Sequence, residues 1–126
     1  MGICSQPDEI HDLFSLSKVI AVVGLSSSPS RPSHYVSKYL QNVGYKIIPV
    51  NPFVEKVLGE YSHPVLANVT ENIDIVDVFR KSEDVMPIVL DAIKIGVKCV
   101  WMQEGVVNVE AAKAARDAGL LVLMDS

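Results

Sequence analysis

The chain has 126 residues, 49% of them hydrophobic, and a formal net charge of −4 at pH 7. That length fits one domain able to bury about two thirds of its unfolded surface, and a mean hydropathy of +0.30 argues against intrinsic disorder. The acidic balance argues against broad binding to nucleic acid or an anionic membrane, and no apolar run reaches the ~18 residues of a membrane span.

The first sixteen residues carry Asp8, Glu9 and Asp12 without a basic start, which argues against a signal peptide. Ile10, Leu13 and Phe14 at helical spacing predict an opening helix over residues 7–16. A strand over 19–24 follows, then a polar turn, then a helix over 32–43 that stops at Gly44. The second strand covers 46–51. Residues 52–73 carry Pro52, Gly59 and Pro64 and predict a short helix or an irregular crossover. The remaining strands are expected at 74–79, 98–103 and 120–124, with helices at 83–95 and 109–118 between them. Ser82 reads as the N-cap of the former, and Gly96 and Gly119 mark where the two helices stop.

Val and Ile fill the strands with little alternation, the pattern of parallel strands covered on both faces. Strand–helix alternation then gives an α/β fold, a doubly wound parallel sheet with right-handed crossovers. Such sheets bind ligands beyond the carboxyl ends of their strands, at the topological switch. The candidate segments are therefore 24–33, 51–56, 79–82 and 103–108.

The first of these is the most telling. Gly24 opens the stretch Leu25-Ser26-Ser27-Ser28-Pro29-Ser30-Arg31-Pro32-Ser33, and no acid appears until Glu55. A buried strand, a tight turn, hydroxyls, Arg31 and a helix N-terminus make a seat for an anion. The other two helices after the first strand begin with acids, Glu83 and Asp84 in one case and Glu110 in the other. From the turn alone, an ordinary strand–helix connection reads equally well. A dinucleotide fingerprint needs three glycines where this turn has Gly24. The second strand ends Val50-Asn51-Pro52, where an NAD site carries an acid for the ribose diol. Asn51 can hydrogen-bond a ribose without repelling a phosphate on it, so the site suits a phosphorylated ribose better than plain NAD.

Other chemistry-bearing residues read more plainly. Cys4 and Cys99 lie far apart with no metal spacing and read as reduced thiols of a cytoplasmic protein, Cys99 in the core. His11, His34 and His63 share no metal spacing; His34 lies in the anion turn and His63 in a loop before Pro64. Asp74 and Asp77 fall on opposite faces of a strand and form no catalytic carboxylate pair. Trp101 and Met102 read as core. Gln103 and Glu104 either face a ligand or simply polarise the end of their strand.

The ordered motifs resemble a known family. Ile20-Ala21-Val22-Val23-Gly24-Leu25-Ser26, Ser30-Arg31-Pro32-Ser33-His34 and Ile48-Pro49-Val50-Asn51-Pro52 are similar to single-domain CoA-binding proteins, relatives of the CoA-binding domain of the succinyl-CoA synthetase alpha subunit. Val76-Asp77-Val78-Phe79-Arg80-Lys81-Ser82-Glu83, Val100-Trp101-Met102-Gln103-Glu104-Gly105 and Met124-Asp125 extend the likeness over nearly the whole chain after the first helix.

The resemblance implies a Rossmann-like three-layer sandwich with a five-stranded parallel sheet and coenzyme A at the strand ends. Gly24, Leu25, Ser26, Ser28, Arg31, Pro32 and Ser33 would surround the phosphates. Val50, Asn51 and Pro52 would border the adenosine half, with Lys56 the nearest cation to that segment. Phe79 and Arg80 would lie across the mouth, and Gln103 is counted with the binding residues on the reading in which it faces the ligand. The implied function is a cytoplasmic binding module for CoA or an acyl-CoA, without catalysis of its own; the synthetases keep their phosphorylated histidine in a further domain. Two alternatives stay open: a separated subunit of an acyl-CoA ligase that needs a partner chain, and an NAD(H)-binding redox sensor. A protein partner or a homo-oligomer is compatible with either.

Overall fold

The computed structural model describes residues 6–124. Cys4 and Asp125 lie outside the described residues. Helix α1 (Pro7–Leu16) leads into strand β1 (Val19–Val23), helix α2 (Pro32–Asn42) and strand β2 (Lys46–Val50). Two short strands follow, β3 (Lys56–Val57) and β4 (Glu60–Tyr61), and then a 3-10 turn at Leu66–Asn68. Strand β5 (Ile75–Val78), helix α3 (Val85–Ile95), strand β6 (Cys99–Met102), helix α4 (Val109–Asp117) and strand β7 (Leu121–Met124) complete the described chain.

The main sheet has the order β2-β1-β5-β6-β7 and is parallel throughout. Residues of alternate parity point to opposite faces. Ile20, Val22, Ile47, Ile75 and Cys99 pack with Leu13 of α1 and Leu40 of α2. Ala21, Val23, Ile48, Val76, Val78 and Val100 pack with Val89 of α3 and Ala111 and Ala115 of α4. The result is the expected three-layer, doubly wound, Rossmann-like fold. The order reverses between β1 and β5, so the switch lies where Gly24 and Phe79 leave their strands.

Asp74 ties these strands together at their other end. Its Oδ2 accepts from the backbone N–H groups of Lys18 at 2.8 Å and Val19 at 3.0 Å, and Lys98 Nζ lies 3.2 Å from Oδ1. Burial works to raise its pKa, but the two N–H donors and Lys98 outweigh burial and hold the carboxyl below its ordinary value.

Two local expectations change. The irregular segment 52–73 has its short helix, a 3-10 turn at Leu66–Asn68, but also folds β3 and β4 into a small antiparallel hairpin. Its turn residues, Leu58 at φ 54° and Gly59 at φ 79°, are both left-handed, the geometry of a type I′ turn. Leucine at the first of these positions hides the signal that Asn or Asp would give. Gln41 Nε2 of α2 donates to Leu58 O at 2.9 Å and braces the turn. Second, Ser82 does not cap α3. A 3-10 turn at Ser82–Asp84 precedes that helix, whose N-cap is Asp84. Ser82 instead binds the loop after β6: its Oγ accepts from Val107 N and its O accepts from Asn108 Nδ2, each at 2.9 Å.

Other expectations stand. Cys99 is fully buried, and burial pushes its thiol up to about 12. Met102 is fully buried, and Trp101 packs edge-on against Phe14 with ring centroids 5.4 Å apart. His63 does more than sit in a loop. It is half-buried and bridges the outer edge of β2, donating its N–H to Pro49 O at 3.0 Å and accepting from Asn51 N at 2.8 Å.

Candidate functional site

The turn after β1 is built by its own side chains. Gly24 has φ 91°, and a Cβ there would collide with the carbonyl oxygen of Phe79. Glycine alone lets the ends of β1 and β5 approach this closely. Ser33 Oγ accepts from Ser26 N at 2.9 Å, and Ser26 Oγ accepts from Ser28 N at 3.0 Å. His34 Nδ1 donates to Ser26 O at 2.9 Å, which fixes the proton on that nitrogen. The loop is thus pinned to the first turn of α2. Arg31 is the N-cap residue of that helix, yet its side chain makes no cap bond, and the first turn holds no acid. At this helix end Arg31 N donates to Ser28 O and His34 N to Arg31 O, and Pro32 has no N–H, so Ser33 N is the backbone donor left for an external acceptor.

This end of α2 forms one wall of a cleft of about 680 Å³. Gly24, Ser26, Arg31, Pro32 and Ser33 lie on this side. Phe79, Arg80 and Lys81 form the facing wall, and Gln103 and Glu104 close the end of β6. The cations Arg31, Arg80 and Lys81 outnumber the acids Asp84 and Glu104, so the local field favours an anion although the whole chain is acidic. A smaller, mostly apolar cleft of about 300 Å³ shares Arg80 and Asp84 with the first and is lined by Val50 and Pro52.

Eight of the expected site residues therefore meet in the larger cleft, and two more in its neighbour. The other four lie elsewhere. Leu25 is fully buried in the core. Ser28 is exposed and places its Oγ 3.1 Å from Ser30 Oγ, away from the cleft lining. Lys56 holds its ammonium 5.1 Å from the centre of the Tyr61 ring and lines neither cleft. Asn51 donates from Nδ2 to Leu25 O at 3.0 Å and accepts at Oδ1 from Phe53 N at 2.9 Å. Its amide thus ties the β1 turn to the β2 turn. Tyr35, Val36 and Asp84 line the cleft from outside the candidate segments, and Val106 from within one of them. Tyr35 stands four residues after Arg31, the helical spacing that could have found it.

Among the described residues no cluster of His, Cys, Asp and Glu could hold a metal ion. No described helix is long and apolar enough to cross a membrane.

The sequence pattern of the CoA binding domain matches residues 18–126. The chain belongs to this CoA-binding domain family. It is 43% identical over 117 residues to the uncharacterized protein YneT of Bacillus subtilis, covering 93% of this chain and 87% of that one. Its fold matches a hypothetical protein from Pyrococcus horikoshii with a TM-score of 0.93 and 38% identity, over 98% of this chain and 87% of that one. It also matches part of a dinucleotide-forming acetyl-coenzyme A synthetase from Ca. Korarchaeum cryptofilum, with a TM-score of 0.76 and 25% identity, over 90% of this chain and 28% of the synthetase.

Proposed function

We propose that this protein binds CoA or an acyl-CoA across the carboxyl ends of β1, β5 and β6 and has no reaction of its own. The observation that carries the reading is the acid-free start of α2, opening with Arg31 into a cleft that Arg80 and Lys81 face. A pyrophosphate there meets Ser33 N–H, the positive end of the helix and the cations together. The smaller apolar cleft beside Val50 and Pro52 suits a base, and Asn51 in place of an acid leaves room for a phosphorylated ribose. The larger cleft falls within the ~300–1,000 Å³ of small-molecule sites. His34 spends its Nδ1 proton on the loop, and the Cys99 thiol is buried away from the cleft, so neither supplies an activated nucleophile.

Calorimetry with CoA, dephospho-CoA and NAD tests the proposal. CoA should bind more tightly than NAD, and loss of the 3′-phosphate should weaken binding. Equal or tighter NAD binding would overturn the reading. The match to about a quarter of a synthetase favours one second reading, a subunit of an acyl-CoA ligase. Its test is a ligase chain that co-purifies with this one and restores acyl-CoA formation.

A further inference from the structure

Strand β5 carries a carboxyl that the sheet does not pair. Asp77 is fully buried, on the face covered by α1 and α2, in register between Val22 of β1 and Trp101 of β6. Its Oδ1 accepts from Gln103 Nε2. Its Oδ2 is buried with no hydrogen-bond partner among the described residues. Gln103 lines the larger cleft, so a single amide group joins a buried carboxyl to the ligand site.

Among the described residues no cation neutralises this carboxyl. On the elements packed around it, α1 carries Asp8, Glu9, His11 and Asp12, all exposed. Helix α2 carries exposed Tyr35, Lys38 and Tyr39, and a His34 already bound to Ser26 O. Strand β1 has no titratable group, and β6 has Cys99, whose thiol stays neutral. Asp74, on the other face of the sheet, is paired with Lys98. Burial without a counter-charge pushes Asp77 up to about 8, against the opposing effect of Gln103.

An amide has a donor end and an acceptor end, and a carboxyl has two protonation states. The ionised carboxylate accepts only. It takes the Nε2–H of Gln103, as the structure shows, and leaves Oε1 for the cleft. The neutral carboxyl can also donate. Its O–H is satisfied by Oε1 once the amide turns over, and the NH₂ group then faces the cleft.

We propose that Asp77 is a positioning residue that sets the hydrogen-bonding sense of Gln103 and so the ligand preference of the cleft. With Asp77 neutral, the cleft offers a donor and favours phosphate or carbonyl oxygens. With Asp77 ionised, it offers an acceptor and a buried negative charge, and both disfavour an anion. An anionic, oxygen-rich ligand therefore draws a proton from solvent onto Asp77 as it binds. This inference rests on the cleft being the CoA site.

The test is calorimetry with acetyl-CoA, which has no free thiol, from about pH 6.5 to pH 9.5. Wild-type affinity should fall by roughly tenfold across this range, and protons should be taken up on binding. Asp77→Asn should bind with an affinity that does not change over the same range, and Gln103→Ala should lose most of the dependence. Carboxyl carbon NMR of the wild-type protein supplies a second readout. One aspartate should titrate well above the ordinary carboxylate range and move higher when acetyl-CoA is added. Binding without pH dependence, or the same dependence in Asp77→Asn, overturns the inference and leaves the CoA reading intact. A set of aspartates that all titrate in the ordinary range overturns it as well. No binding of acetyl-CoA at any pH overturns both.

Discussion

Gly24 is held to glycine twice, by a left-handed φ and by the carbonyl of Phe79 pressed against it. Gly24→Ala forces the ends of β1 and β5 apart and should cost about 2–4 kcal/mol, read by chemical denaturation. A loss below about 0.5 kcal/mol would show that the turn relaxes freely. Arg31 is the opposite case. It is exposed and caps nothing, so Arg31→Ala should leave Tm nearly unchanged. A charge-assisted contact to phosphate contributes about 1.5–3 kcal/mol, so CoA binding should weaken roughly ten- to a hundredfold. Unchanged affinity would remove Arg31 from the site. A large fall in Tm without ligand would make it structural instead. Both residues stand out in the sequence because they sit at a strand end and a helix start. The job of Asn51 does not. Its partners, Leu25 O and Phe53 N, come from two turns that meet only in the folded chain.

At the scale of elements, the five main strands and four helices are legible because Val and Ile runs alternate with amphipathic stretches. Strand ends shift inward by a residue where the chain turns away, as at Gly24 and Asn51. The β3–β4 hairpin is not legible, since Leu58 occupies a position where side chains rarely take positive φ. Nor is the contact between Asp77 and Gln103. It spans 26 residues and exists because β5 and β6 pair in one particular register. Asp74 shows what such long-range contacts supply. It joins the start of β1 to the segments before β5 and β6. Asp74→Asn keeps the shape but weakens two backbone contacts and the Lys98 pair, and should cost about 1–3 kcal/mol. Its folded pKa is depressed, so its contribution is full above the unfolded value of 3.8 and is lost as pH falls through the folded value. Acid titration of Tm should show a smaller acid-side loss in the variant than in the wild type. An identical acid limb would mean that Asp74 does not hold these strands.

The whole molecule carries these two aspartates on opposite faces of one sheet, with opposite consequences. The folded pKa of Asp77 is raised, so its contribution is full below 3.8 and is lost as pH rises through about 8. Together the two groups move the pH of greatest stability to the acid side of neutral. Thermal melts should show Tm falling from about pH 5 to pH 8. Asp77→Asn should flatten that decline and be more stable at pH 8 by about 1–3 kcal/mol, because it removes a buried charge that lacks a counter-ion. A decline as steep as that of the wild type would assign the pH dependence to other groups.

Pro49 sets the limit of the sheet. Its carbonyl points outward from β2, to His63 N, so its ring nitrogen lies on the same outer edge and costs the β1 ladder no donor. One step further on, Asn51 N is taken by His63 O. The outer edge of β2 thus has a missing donor at Pro49, and the carbonyl there and the donor at Asn51 are already in use. An extended segment of another molecule finds little to pair with along that rim. On the β2 side the fold resists fibre-like growth by the way its own chain returns.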